Sequence, residues 1–309
     1  MKSPIALYTD PAFLLHNNGL GHPECPERLI VIDTLFEELE KQDSFHRIEQ
    51  CPLASREEIL RVHSADHFDR VKSACERGPS FLDPDTSVVP ESWQAALRAS
   101  GAATEGTRRV LSGDFSRAFC ALRPPGHHAE SNRAMGFCLF NHLAVAAADL
   151  LECGLRRVAI VDFDVHHGNG TAGIFREDAR VFFASCHQWP HYPGTGARED
   201  RACGNQRNRP LPSGSGDEEV LAWMKGELME LLREHRPEFL LISAGFDAHR
   251  LDPLSGLQLS TEAYGEFGRI LGGAADEICE GRLLAVLEGG YHLQALRDSL
   301  SAFLEALRT

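Results

Sequence analysis

The chain has 309 residues, 43% of them hydrophobic and 25% charged. These proportions belong to a soluble globular protein and exclude a collagen-like, wholly disordered or polytopic membrane chain. Lys and Arg number 31 against 45 Asp and Glu, a formal charge of −14, so no basic footprint for nucleic acid is present and none is expected as partner.

The elements follow in chain order. Residues 4–8 read as a short strand, and residues 27–41 as a helix with Leu29, Ile32, Leu35, Phe36 and Leu39 on one side. An alanine-rich helix is expected over 92–111, a strand over 117–122, a strongly apolar helix over 141–153, and strands over 157–164 and 180–185. Residues 217–234 place Val220, Trp223, Met224, Leu228, Leu231 and Leu232 around one helical face, with Asp217 as the expected N-cap and Glu218 and Glu219 favourable to the first turn. A strand over 239–245, a helix over 261–279, a strand over 283–288 and a helix over 293–307 complete the series. Several strands are continuous aliphatic runs, the pattern of strands covered on both faces. Their alternation with helices predicts right-handed crossovers and a doubly wound α/β sheet. No linker divides the chain, so a single domain over 1–309 is expected.

Nine cysteines are scattered without a CxxC pair. Reduced, mostly buried thiols are expected rather than a disulfide framework. No run of 18 apolar residues and no signal-peptide core is seen, so no membrane span is expected and the cytoplasm is the default location. The irregular segments 16–26, 79–90, 124–136 and 187–216 are rich in Gly, Pro, His and Asn, and loops at the carboxyl ends of strands are where such sheets bind ligands.

Four clusters carry chemistry. Asp162, Asp164, His166 and His167 follow a buried strand and lead into Gly168-Asn169-Gly170. In extended geometry alternate residues share a side, so Asp162, Asp164 and His166 can converge. Carboxylates with imidazole are an oxygen/nitrogen ligand set for zinc or another divalent ion. Asp247 follows another strand and can complete an Asp/His/Asp site with an open position, while His249 reads as a loop residue. His127 and His128 come after a rigid Pro124-Pro125-Gly126 turn, and histidine can take and return a proton near neutral pH. Glu288-Gly289-Gly290-Tyr291 lets the backbone approach a ligand, and the Tyr291 phenol can donate to an oxyanion.

Together these clusters resemble the zinc-dependent histone deacetylase family, which includes acetylpolyamine amidohydrolases and acetoin-utilisation proteins. The order of motifs is the family's: HPExPxR at His22, Pro23, Glu24, Pro26 and Arg28, then RPPGHH, GFCxFN from Gly136 to Asn141, DxDxHHGNGT, YPGTG from Tyr192 to Gly196, GFDA and EGGY. The resemblance implies an arginase/deacetylase-type three-layer α/β fold with a mostly parallel central sheet and helices on both faces. It implies one zinc ion per chain on Asp164, His166 and Asp247. His127 and His128 would activate water, with His128 as general base and then acid, and Tyr291 would polarise the amide carbonyl. Asp162 would orient His127 and Asn169 would orient His128; an Asn there, where class I members have Asp, points to a class II-like member, and a compact, isolated catalytic domain of this kind looks bacterial or organellar.

The same resemblance implies a tunnel walled by Gly136, Phe137 and Tyr192, gated by Leu254, with Asp85 on its rim gripping the substrate backbone. A structural potassium ion would draw on Asp162, Asp164, His166, Ser185 and Cys186, and a second on carbonyls around Phe175, Asp178 and Val181. The expected substrates are acylated lysines in proteins or peptides. Small N-acyl amines such as acetylpolyamines are the alternative, disfavoured by Leu254 where polyamine-specific members carry glutamate. A catalytically silent acyl-lysine reader is disfavoured by the presence of Tyr291, and a two-manganese ureohydrolase by the small number of ligand carboxylates.

Overall fold

The computed structural model describes residues 3–308. The strands are β1 Ile5–Tyr8, β2 Phe45–Ile48, β3 Ser80–Asp83, β4 Thr86–Val88, β5 Arg117–Cys120, β6 Val158–Asp162, β7 Val181–Gln188, β8 Gln206–Leu211, β9 Leu240–Ala244 and β10 Leu283–Leu287. Eight of them form one sheet in the order β2-β1-β5-β10-β9-β6-β7-β8, with every neighbouring pair parallel. The central strands β5, β10, β9 and β6 are buried along their whole length, which is why they read as unbroken apolar runs.

The helices are α1 Ala12–Leu15, α2 Glu27–Leu39, α3 Arg56–Leu60, α4 Ala65–Glu76, α5 Pro90–Leu111, α6 His142–Glu152, α7 Asn169–Ile174, α8 Asp217–Trp223, α9 Met229–His235, α10 Thr261–Ile278 and α11 Leu293–Leu307. A π-helical turn, Met224–Leu228, joins α8 to α9. One helical layer is built on α5, packed on α6, α4 and strands β1, β5 and β10; the other joins α10, α11 and α2. Side-chain caps mark several starts: Asn141 accepts from Ala144 N at 3.0 Å before α6, and Ser260 accepts from Ala263 N at 3.3 Å before α10. The result is a three-layer α/β architecture with its core on both faces of the sheet.

Three local expectations differ. Residues 187–216 contain β8, whose Arg207, Arg209 and Pro210 hide a strand that is tolerated because it lies at the sheet edge. Residues 79–90 contain the β3–β4 hairpin, with Asp85 in its turn. The N-cap of α8 is Gly216; Asp217 is the first helical residue, and its carboxylate instead accepts from Ser260 N at 2.9 Å and Ser260 Oγ at 2.6 Å, tying α8 to the start of α10. All nine cysteines are free, six of them buried, as the composition suggests. No helix among the described residues is long and apolar enough to cross a membrane.

Candidate active site

The chemistry-bearing residues gather at the carboxyl ends of β5, β6, β9 and β10, which are neighbours at the centre of the sheet. Just beyond β6, Asp164 and His166 meet Asp247, which follows β9. His166 Nδ1 lies 3.0 Å from Asp164 Oδ1 and 3.1 Å from Asp247 Oδ2. One ligand atom from each of the three residues lies within 4.8 Å of the others, and all three residues are buried.

Two buried carboxylates on one imidazole call for positive charge. His166 is pushed up to about 10: burial opposes this, but its bonds to Asp164 and Asp247 outweigh it. Asp247 is pushed up to about 7 by burial and by the Asp164 charge. The trio therefore fits a single divalent cation that accepts oxygen and nitrogen ligands. Backbone donors hold the carboxylates in place: Gly289 N reaches Asp164 Oδ2 at 2.8 Å, and Val165 N reaches Asp247 Oδ1 at 2.9 Å. Gly289 has to be glycine, since a Cβ there would stand 2.0 Å from Asp247 Oδ2.

The histidine pair lies beside the trio. His127 Nδ1 is 3.0 Å from Asp162 Oδ2, and His128 Nδ1 is 2.8 Å from Asn169 Oδ1. The orientation of Asn169 follows from its other end, where Nδ2 donates to Glu130 Oε1 at 3.0 Å. With Oδ1 facing His128, the Nδ1 of that ring carries the hydrogen and Nε2 is left as the acceptor. Burial works against a charge on His127, but the carboxylates of Asp162, Asp164 and Glu288 hold it well above the ordinary histidine range. Burial, with His127 and His166 nearby, holds His128 well below it. Two adjacent imidazoles are thus pushed in opposite directions, the pattern that divides acid from base.

A cavity of about 270 Å³ opens above these groups, with His127, His128, His166, Gly289 and Tyr291 in its lining. Phe137, Tyr192, Gly136 and Leu254 line it too, and so does Asp85, brought there by the β3–β4 turn. Gly136 and Phe137 have φ of +56° and +67° and form the two-residue tip of a tight turn closed by bonds between Met135 and Cys138. That left-handed tip presents the Phe137 ring, which packs edge-on at 6.1 Å from Tyr291 and at 4.7 Å from His22. A Cβ on Gly136 would meet the His128 ring at 2.4 Å.

Of the residues proposed for potassium, Asp162 and Ser185 are ladder partners on β6 and β7, with Cys186 next along β7. The Ser185 hydroxyl is engaged with His187 Nδ1 at 2.9 Å. The carbonyls of Phe175, Asp178 and Val181 do converge, and all three accept from Asn205 Nδ2. His249 lies off the cavity, bonded to Leu251 N and facing Thr261 Oγ1, as its loop reading expects.

Several supporting residues sit inside the quoted motifs without an expected role. Glu24 is fully buried between Arg123 and Arg28. Arg28 donates to the carbonyls of Gly290 and Glu288 and stands 5.0 Å over the Tyr291 ring. Glu288 Oε2 accepts from Gly126 N at 2.7 Å and His127 N at 3.1 Å, joining the histidine loop to the tyrosine loop. Their signal was a charged residue inside an apolar or glycine-rich run. Asp252 accepts from Tyr291 N at 2.6 Å and Leu254 N at 3.0 Å, and His191 stacks on His166 at 4.9 Å while bonding the Leu254 carbonyl; neither has a local signal.

Comparison with known proteins agrees with this geometry. The histone deacetylase domain profile matches residues 22–307. An uncharacterised protein of Synechocystis is 39% identical over 98% of this chain and 99% of its own length. A probable deacetylase of Archaeoglobus fulgidus is 38% identical over 91% of this chain and 80% of its own. The crystal structure of the HDA15 HD domain superposes with a TM-score of 0.93 at 33% identity, covering 99% of this chain and 89% of that one. The fold is thus the arginase/deacetylase type. With a buried Asp/His/Asp trio beneath its cavity, the chain belongs to the histone deacetylase family and is a hydrolase of the deacetylase/amidohydrolase type.

Proposed function

We propose that this chain is a zinc-dependent amidohydrolase that removes acetyl or related acyl groups from the ε-amino group of lysine. The observation that carries the reading is the 270 Å³ cavity, apolar along Phe137, Tyr192 and Leu254, with His127 and His128 in its lining and the cation-ready trio reaching it through His166. Such walls suit the methylene chain of lysine and leave the amide among the polar groups. Asp164, His166 and Asp247 would hold the zinc ion, one per chain, which when bound polarises the amide carbonyl and acidifies water.

The chain's own residues then divide the work. His128, with Nδ1–H committed to Asn169, accepts a proton from water at Nε2 and later delivers it to the leaving amine. His127, held by Asp162, keeps positive charge beside the developing oxyanion. Tyr291, held by Asp252 at its backbone and by Arg28 over its ring, donates its phenol to that oxyanion. Asp85 at the rim accepts from substrate backbone amides. A structural potassium ion at Asp162, Asp164, His166, Ser185 and Cys186 would brace the ends of β6 and β7. The whole chain acts as one catalytic domain, in the cytoplasm.

The test is an acyl-chain panel on one lysine peptide, run beside acetylspermidine, with zinc, iron(II) and chelator arms. Turnover of an acyl-lysine peptide above that of acetylspermidine, abolished by chelator and restored by zinc, is expected. Preference for the polyamine would reject the lysine reading, and undiminished turnover after complete metal stripping would reject the metal reading.

A further inference from the structure

The turn from α7 to β7 contains a cradle of three backbone carbonyls aimed at a single point. That point holds a nitrogen of the chain itself. Asn205 Nδ2 donates to Phe175 O at 2.8 Å, Asp178 O at 3.0 Å and Val181 O at 2.9 Å. Asn205 is buried, on the segment that enters β8. Cys203 Sγ donates to its Oδ1 at 3.3 Å, so each end of the amide has a partner of the right kind. Turning the amide over would set Oδ1 against three carbonyl oxygens, a repulsion with no compensation.

The carbonyls have little left to offer an ion. Phe175 O also accepts from Asp178 N, and Asp178 O from Val181 N, each at 3.1 Å. A carbonyl oxygen carries two lone pairs, so both oxygens are saturated by the backbone turn and the amide. A cation coordinated by this cradle would have to stand where Nδ2 stands. The residues therefore do not fit the second potassium ion that the family resemblance implies.

We propose that the Asn205 amide takes the place of a monovalent cation, so that this chain closes the α7–β7 turn with a tethered side chain instead of a second potassium ion. The turn follows α7, whose first residue, Asn169, bonds His128. A cation-held turn loosens as the ion is withdrawn, by mass action. A tethered amide donor does not, so the far end of α7 stays anchored at any potassium concentration.

The experiment uses thallium(I) as the probe, with the wild-type chain, Asn205→Ala and Asn205→Asp. In thallium-soaked crystals the wild type is expected to show no anomalous peak among Phe175 O, Asp178 O and Val181 O, and Asn205→Ala to show one. In solution, the melting temperature of Asn205→Ala is expected to rise by roughly 4 °C more than that of the wild type when potassium replaces tetramethylammonium at constant ionic strength and about a hundredfold excess over the dissociation constant. Asn205→Asp, which sets a carboxylate against the carbonyls, is expected to show the same dependence. A thallium peak in the wild-type cradle with Asn205 swung aside overturns the proposal, and so does a folded variant that gains neither the peak nor the potassium response. If neither variant folds, the wild-type crystal decides the question alone.

Discussion

Replacing Glu24 by Gln tests the buried charge cluster that holds the loops around the candidate site together. The Glu24 carboxylate accepts from Arg123 at both oxygens, from Arg28 Nη1 at 3.2 Å and from Asn18 Nδ2 at 2.6 Å. The side chains of Glu24, Arg28 and Arg123 are all at 0% exposure, so glutamine would leave two guanidinium groups in the interior without their shared counter-charge. Removing one partner of a buried pair costs about 3–5 kcal/mol. At roughly 2.1 cal/mol/K of unfolding entropy per residue, 309 residues give about 650 cal/mol/K, so the melting temperature should fall by about 5–8 °C. The pH dependence has a definite sign. Burial opposes ionisation of Glu24, but Arg123 and His16 outweigh it and hold the carboxyl well below its ordinary 4.5. The stabilisation is then complete above about pH 4.5 and is lost as the pH falls through the lower folded value. Near-ultraviolet circular dichroism melts from about pH 7 to about pH 3 should show a constant gap between wild type and variant down to roughly pH 5, narrowing only below about pH 4.5. Equal melting temperatures at pH 7, or a gap that widens as the pH falls, would refute the reasoning.

Three further changes address the chemistry. Tyr291→Phe should lower kcat by ~10²–10³-fold with little change in KM, because only the oxyanion loses a donor; steady-state kinetics on an acetyl-lysine peptide check this, and unchanged turnover removes the assigned role. Gly289→Ala puts a Cβ 2.0 Å from Asp247 Oδ2 and 2.7 Å from Asp164 Oδ2, so metal affinity should drop ~10–100-fold, read by titration of the apoprotein with zinc. Asn169→Asp sets a carboxylate on the Nδ1–H of His128 and raises that imidazole's pKa. A base must be neutral to act, so the acid limb of kcat/KM should move to higher pH by ~1 unit or more, and an unmoved limb means His128 is not the base.

Much of this site is legible in the amino-acid sequence. Asp162, Asp164 and His166 alternate after a buried apolar run, and alternation in an extended segment puts side chains on one side. His127, His128 and Tyr291 follow strands in the same way, and a parallel sheet brings strand ends to one edge. The supporting network was harder to read. Arg28 is 262 residues from the Gly290 carbonyl it holds, and Asp252 reaches Tyr291 across 39. Those partners become neighbours only through the order of the strands. Arg207 and Arg209 in β8 likewise read as loop, because an edge strand tolerates polar side chains that a central one does not.

The amino-acid order alone determined the central strands, the long helices between them and which residue types stand at those strand ends, because burial on two faces demands apolar runs and ionisable groups survive only where the run stops. The tertiary structure decided which of those ends meet, since strands far apart in the chain become neighbours through their crossovers. It also decided what fills the cradle behind α7. Three carbonyls look alike in sequence whether they await an ion or an amide, and only the folded position of Asn205 tells the two apart.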